Sequence, residues 1–302
     1  MPGFPSVGSR VSLRYRLPAA AGPSLTDVIG HLEALEPLVV LRTKSGERVE
    51  VDPADIVSVR EISHTPVRTS QIRAVEHAAA LAWPGTEQHW LDGWLLRAAG
   101  GATSRANSAV PLDVSATLQA LPGIVDWYSQ RGLAAWLALP ERLLAVRAAG
   151  IKATRVMVTD LAGALPATGV ELAPEPSPGW LAIYERDVPP AVLTAVVDGT
   201  VVFASIAGVA VGRGAVTTAP DGTRWLGISS VRVAEDRRRR GHARTVCAAL
   251  MHWGAAQGAT RSYIEVLADN AAAVTLYESM GFRLHNTHSY VEAASLLGRR
   301  GT

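Results

Sequence analysis

The chain has one cysteine, Cys247, and only two lysines, Lys44 and Lys152, among 29 basic residues. A single cysteine excludes an intrachain disulfide and any cysteine-rich metal site, and it suits a reducing compartment. Charge of one sign is also missing: 29 basic residues face 27 acidic ones, for a formal net charge of +2. No global field therefore draws nucleic acid or an anionic membrane, and neither is expected as a partner. The N-terminus, MPGFPSVGSRVSLRYRL, lacks the apolar stretch of a secretory signal, which points to a cytoplasmic protein. The longest apolar stretch, Pro190 to Val211, is cut by Asp198 and Gly199. A bilayer span would hold that aspartate mid-membrane at about 2.5–3.5 kcal/mol, so buried strands fit the stretch better.

What is present is enough hydrophobic material for full cores, 48% of 302 residues, with 19% charged, which excludes wholesale disorder. Residues 1–64 read as a small all-β unit. Arg10–Arg16 alternates with Val11, Leu13 and Tyr15 on one face, the period of a half-buried strand. Thr26–Glu36 and Leu38–Thr43 supply two more strands, and Lys44-Ser45-Gly46-Glu47 is a hairpin turn. Arg48–Val51 and Ile56–Ile62 complete the set, which predicts a small SH3-like β-barrel. From 65 to 165 the pattern gives a helix at Ser70–Ala82, capped by Thr69 or Ser70, and a strand at Trp94–Ala98. Helices follow at Ser115–Gln130 and Glu141–Ala149, then a strand at Thr154–Val158. Residues 166–179, with Pro166, Pro174, Pro176 and Pro178, read as a proline-rich linker before a final unit over 180–302.

The chemistry concentrates between Ile228 and Phe282. Ile228–Val233 is a β-branched alternating strand, followed by Arg237–Arg240, Gly241, His242 and Ala243. Helical spacing of Val246, Cys247, Leu250 and Gly254 begins a helix near Gly241. Strand, basic loop, glycine and helix N-terminus make a phosphate site, because first-turn amides lack intrahelical acceptors and the helix dipole is positive there. A second strand, Ser262–Leu267, runs parallel to the first, and a second helix starts at Asn270 and ends at Gly281.

These residues resemble the GNAT superfamily. Arg238-x-x-Gly241-x-Ala243 is similar to its acetyl-CoA loop, and Asn270-x-x-Ala273-x-x-Leu276-Tyr277-x-x-x-Gly281-Phe282 to its second motif. The resemblance implies an α/β (α+β) chain with a C-terminal GNAT acyltransferase fold over 180–302 and a degenerate GNAT-like middle segment over 65–165. The co-substrate it implies is acetyl-CoA, without a metal. Pantetheine would lie along Ser229–Val233, touching Val231 and Val233, as an added strand. Pyrophosphate would rest on Arg238, Arg239, Arg240, Gly241, His242 and Ala243, and Asn270 would contact pantetheine. Glu265 would serve as general base and Tyr277 would protonate the departing thiolate. In Gly101–Ser108, Arg105 and Asn107 either line an acceptor pocket, with Arg105 suited to a carboxylate, or belong to a polar turn. Similar chains are described both as N-acetylglutamate synthases and, with an SH3-like front domain, as histone acetyltransferases. The acceptor amine is thus on a basic protein or on a free amino acid such as glutamate. A second reading, a non-catalytic acetyl-CoA sensor or scaffold with the barrel as interaction module, uses the same binding residues.

Overall fold

The computed structural model describes residues 4–17, 25–146, 148–164 and 166–297. It divides into two compact units, 1–67 and 68–302. In the first, β1 (Arg10–Arg16), β2 (Leu25–Ala34), β3 (Val39–Thr43), β4 (Arg48–Val51) and β5 (Ile56–Glu61) form one antiparallel sheet in the order β4-β3-β2-β1-β5. The alternation of β1 puts Val11 and Leu13 in its core beside Leu32, Val39, Leu41 and Val51. Asp52 caps the short turn Pro53–Asp55 by accepting from the Ala54 amide at 2.8 Å, which reverses the chain into β5.

In the second unit α1 (Thr69–Ala82) precedes the hairpin β6 (Glu87–Leu91) and β7 (Trp94–Ala98), then β8 (Val110–Pro111), α2 (Leu121–Ser129), β9 (Trp136–Pro140) and β10 (Ile151–Asp160). After β11 (Glu171–Ala173), α3 (Pro178–Tyr184) and α4 (Pro190–Thr194) comes a second hairpin, β12 (Thr200–Ile206) and β13 (Ala210–Thr218). The chain ends with β14 (Arg224–Val233), α5 (His242–Ala256), β15 (Arg261–Leu267), α6 (Ala271–Ser279), β16 (Arg283–Glu292) and α7 (Ala294–Leu297). An eight-stranded sheet has the order β11-β12-β13-β14-β15-β10-β16-β9, and β6-β7-β8 form a smaller one. Ala109 bonds on both sides of Leu137 as a parallel bridge, which joins the smaller sheet to β9.

One succession occurs twice: hairpin, third strand, helix, then a strand parallel to the third. It is β6-β7-β8-α2-β9 first and β12-β13-β14-α5-β15 second. The strand after each succession crosses to the other half, so that β10 pairs with β15 and β16 pairs with β9. The two crossing strands pair with each other at the centre of the arrangement. Residues 65–165 and 180–302 therefore interleave in one sheet, and Glu171–Ala173, within the proline-rich stretch, pairs with β12. Helix α1 packs Val75, Ala78, Ala79 and Ala82 on Val156, Val158, Ala215, Trp225 and Tyr263 of one sheet face. The other face is covered by α5 and α6 through Val246, Cys247, Leu250, Val274 and Tyr277. Among the described residues no helix is long and apolar enough to cross a membrane.

Three local expectations are corrected. Helix α1 is capped from Arg68, whose amide donates to Gln71 Oε1 at 2.8 Å, rather than by Thr69 or Ser70. The helix expected from Ser115 starts at Leu121, because Asp113 captures Ser115 in a side-chain turn and Thr117 caps a short helical turn before it. No helix forms over Glu141–Ala149: its described residues are turn and irregular chain, Arg142 holds φ at +65°, and Arg147 lies outside the described residues.

Candidate active site

The site begins where β14 and β15 separate. They pair in parallel from Trp225–Arg261 to Ile228–Ile264 and no further. On its other edge β14 goes on pairing with β13 to Val233, but the register shifts there by one residue and Ser230 takes φ of +55°. A bulge of this kind bends the bulged strand, and here it carries Ser229–Val233 away from Glu265–Leu267. Both strands then face each other with unpaired backbone. Gly227, just before the split, is required because a Cβ there would overlap the Tyr263 hydroxyl.

The opening is a cavity of about 420 Å³. One wall is Ile228–Arg232; the opposite wall is Ile264–Leu267 with Asn270, Ala273 and Tyr277; Trp83, Thr103–Arg105, Lys152, Thr154, Tyr184, Arg186 and Tyr290 close it. Four predicted residues, Val231, Glu265, Asn270 and Tyr277, and the predicted acceptor residue Arg105 thus meet in one space. Val233 and the loop Arg238–Ala243 lie beyond its lining, at the end of β14. Gly241 holds φ of +84° as N-cap of α5, which lets His242 open the helix directly. The first-turn amides have no intrahelical acceptor, and the side chains of Arg238, Arg239 and Arg240 are exposed around them.

Asn270 caps α6, its Oδ1 accepting from the Ala273 amide at 3.2 Å. Tyr277 is buried, its ring edge-on to Phe282 at 6.0 Å. Burial pushes its phenol well above the ordinary tyrosine range, so the hydroxyl stays a proton donor. Glu265 is nearly closed off, its side chain 4% exposed, and Arg105 Nε lies 2.7 Å from its Oε2. Arg105 is itself stacked on Trp83 at 5.4 Å. Asn107 does not line the cavity: its Oδ1 accepts from the amides of Ala99 at 2.8 Å and Gly101 at 2.9 Å, and its Nδ2 donates to the Thr103 carbonyl at 2.7 Å. It thereby shapes the loop that presents Arg105. Cys247 is fully buried and its thiol is pushed up to about 12 by burial, which makes it a poor nucleophile. Among the described residues no three His, Cys, Asp or Glu side chains gather as a metal site.

Sequence reasoning missed Lys152 and Arg186 in the lining, while Ser104 belongs to the polar cluster Gly101–Ser108 that it singled out. Lys152 holds φ of +52° at the start of β10 and its ammonium donates to Ser104 Oγ. Arg105 and Arg232 also line the cavity, the first paired with Glu265 and the second with Glu185.

Residues 69–291 match the family described as "Probable histone acetyltransferase Rv0428c C-terminal", and residues 5–60 the "Rv0428c N-terminal Sm-like domain". The second match corrects the SH3-like barrel: the front unit is Sm-like. Strand alternation and turn spacing count five short strands, but they do not report how such a unit is classed. The chain is 48% identical over 299 residues, 98% of each chain, to a Mycobacterium tuberculosis protein named "Probable histone acetyltransferase Rv0428c". It is 27% identical over 251 residues to "Uncharacterized N-acetyltransferase YobR" of Bacillus subtilis, covering 72% of this chain and 97% of that one. A GCN5-related N-acetyltransferase from Kribbella flavida shares the fold with a TM-score of 0.53 at 16% identity, covering 76% of this chain and 96% of that one. With the split strands, the glycine-capped helix and these relatives together, the chain belongs to the GNAT superfamily of acetyl-CoA-dependent N-acetyltransferases, in the family of the mycobacterial protein.

Proposed function

We propose that this acetyltransferase moves the acetyl group directly from acetyl-CoA to the primary amine of a small acceptor that also carries a carboxylate. Pantetheine runs along Ser229–Val233 beside Val231 and Val233, reaching Asn270. The pyrophosphate takes the amides of Arg238–Ala243, with Arg238, Arg239, Arg240 and His242 around it. The thioester then lies near Tyr277, and the acceptor enters from the side of Arg105 and Lys152.

An acceptor amine arrives protonated, since α-amines titrate near about 8 and lysines near about 10.4. Glu265 takes a proton from the ammonium, the free amine attacks the thioester carbon, and Tyr277 protonates the thiolate as the C–S bond breaks and recovers its proton from the second N–H of the new amide. Direct attack needs no acyl-enzyme, in keeping with the buried, poorly ionised Cys247.

The observation that carries the acceptor class is the pair of cations Lys152 and Arg186 on the cavity wall, beside Arg105, which is paired with Glu265, and Arg232, which is paired with Glu185. A unit charge 4 Å away is worth from about 1 kcal/mol in water to about 4 kcal/mol near a protein surface. A lysine-rich tail would bring further cations to that wall, whereas a carboxylate beside the amine is drawn to it. Arg105, already committed to Glu265, orients the base, which leaves Lys152 and Arg186 for the acceptor's carboxylate.

The test is a matched pair: initial rates with an α-amino acid and with its carboxamide, alongside acidic and lysine-rich peptides. The acid is expected to win in kcat/KM. Lys152→Gln is expected to raise its KM about tenfold, a loss near 1.4 kcal/mol, and to leave the carboxamide unchanged. A lysine-rich peptide or basic protein that outperforms every carboxylate-bearing acceptor overturns this acceptor class.

A further inference from the structure

Behind the main cavity lies a second, smaller one. Arg105, Glu265 and Tyr290 line both and form the partition between them. The far side is Glu76 from α1, Arg97 from β7 and His288 from β16, with small apolar residues between. Its free space, about 10 Å³, is at the lower bound for seating one water. His288 is 6% exposed, and neither ring nitrogen has a hydrogen-bond partner. Glu76 Oε1, also buried, accepts from Asn286 Nδ2 at 2.7 Å and lies 3.5 Å from His288 Nδ1, an ion-pair distance rather than a hydrogen bond. A carboxylate and an imidazole buried together, with ring nitrogens unsatisfied beside a polar void, are costly unless something occupies the void.

The sheet register explains the placement. On β10, Thr154 pairs with His288 of β16, and Val156 pairs with Glu265 of β15, so the two side chains stand on neighbouring rows of the face covered by α1. Thr154 from β10 and Pro140 from β9 oppose His288 without charge. The groups that face it electrically are Glu76, Arg97, Arg105, Glu265 and Tyr290, the last ring edge-on at 5.6 Å. Arg97 is occupied by Ser108 and the Trp83 carbonyl.

We propose that His288, backed by Glu76, is the proton reservoir behind Glu265, reached through a single water held in the small cavity. The proposal rests on the acetyl-transfer reading above. The C–N bond forms and the C–S bond breaks. One ammonium proton passes from Glu265 through the water to His288 Nε2. Tyr277 gives its proton to the coenzyme sulfur and is restored by the second N–H proton. His288 releases its proton to solvent by the same route once product leaves. As a residue that acts through Glu265, His288 is a positioning and relay group.

To receive a proton His288 must be neutral, so activity rises with pH as it deprotonates. Burial alone pulls its titration down, but the Glu76 carboxylate pulls it up and prevails. Removing that carboxylate therefore moves the rise to lower pH. The experiment is the pH dependence of kcat/KM for an amine that the wild-type enzyme acetylates. Glu76→Gln is expected to move the acid limb down by about one pH unit or more. His288→Gln is expected to abolish that limb and lower kcat about 10- to 100-fold, with the KM for acetyl-CoA unchanged. A limb that stays at the wild-type pH in His288→Gln overturns the relay while leaving acetyl transfer standing. Absence of any amine acetylation by wild type overturns both. Should the variants not fold, histidine ring resonances of the wild-type protein decide: one titrates at the midpoint of the kinetic limb, and if none of the eight does, the relay is wrong.

Discussion

Tyr277 combines burial, a phenol held in its protonated form and a place on the cavity wall beside the split strands. Replacing it by phenylalanine removes one oxygen and leaves the ring against Phe282. The expected outcome for Tyr277→Phe is a fall in kcat of about 10²-fold or more, with acetyl-CoA affinity by calorimetry within a factor of about two of wild type. A variant with unchanged kcat would remove Tyr277 from proton transfer. At this scale part of the candidate site was legible: Asn270 and Tyr277 stand in one short motif and Glu265 on the strand before it, and all three line the cavity. Lys152, Glu76 and His288 were not, because each reaches the site from a distant strand or helix. Asn107 shows the opposite difficulty: a buried asparagine between polar neighbours reads as a ligand until its three hydrogen bonds show that it shapes the loop.

Two glycines and a bulge set the geometry of the elements. Gly227 keeps β14 flat beneath the Tyr263 ring just before the strands part, and the extra residue at Ser230 turns β14 away. Gly227→Ala forces a displacement of Tyr263 or of the strand, with an expected loss of about 1–3 kcal/mol. A fall in Tm of roughly 2–4 °C for each kcal/mol would register it by calorimetry. Gly241→Val acts differently. A Cβ there meets open space but must adopt φ of +84°, at about 1–2 kcal/mol. The expected outcome is acetyl-CoA binding weakened about tenfold, with less change in Tm than Gly227→Ala; a larger fall in Tm at Gly241 would contradict this account. Strands and helices around the motif were legible from apolar spacing. The helix expected at Glu141–Ala149 was not there, because the same spacing serves chain that packs Leu144, Val146 and Ala148 against the α2 cluster without helical bonds.

At the scale of the molecule, the two halves of residues 68–302 exchange a strand each. β10, from the first half, fills the place between β15 and β16. Arg213, fully buried in the second half, donates to the carbonyl of Ala82 in α1 at 2.9 Å, and Thr217 Oγ1 to that of Ala78 at 2.9 Å. Cutting the chain at the proline-rich stretch would expose the β15 and β16 edges and leave Arg213 without that acceptor, an aggregation hazard. A fragment of residues 68–302 is expected to unfold in one cooperative transition, and a fragment of 166–302 to be unfolded or insoluble; circular dichroism and sedimentation would distinguish them. A well-folded 166–302 would contradict the strand exchange as a stabilising feature. This level was the least legible, since strand order depends on contacts far apart in sequence. A composition shift such as Pro166–Pro178 marks a change in local chain, not which strands become neighbours. The classification of the front unit failed for a related reason, because five alternating strands are compatible with more than one small β-fold.

Direct acetyl transfer to an amine in the cavity between the split strands leaves distinct products. The most direct test is to incubate the full chain with acetyl-CoA and a pool of amino acids, peptides with free α-amines and a basic protein, and to identify acetylated species by mass spectrometry. The expected outcome is an acetylated small amine that carries a carboxylate, free coenzyme A in equal amount, and no acetyl group on the enzyme. Coenzyme binding with no acetylated amine, or an acetyl-enzyme that accumulates before product, would contradict it.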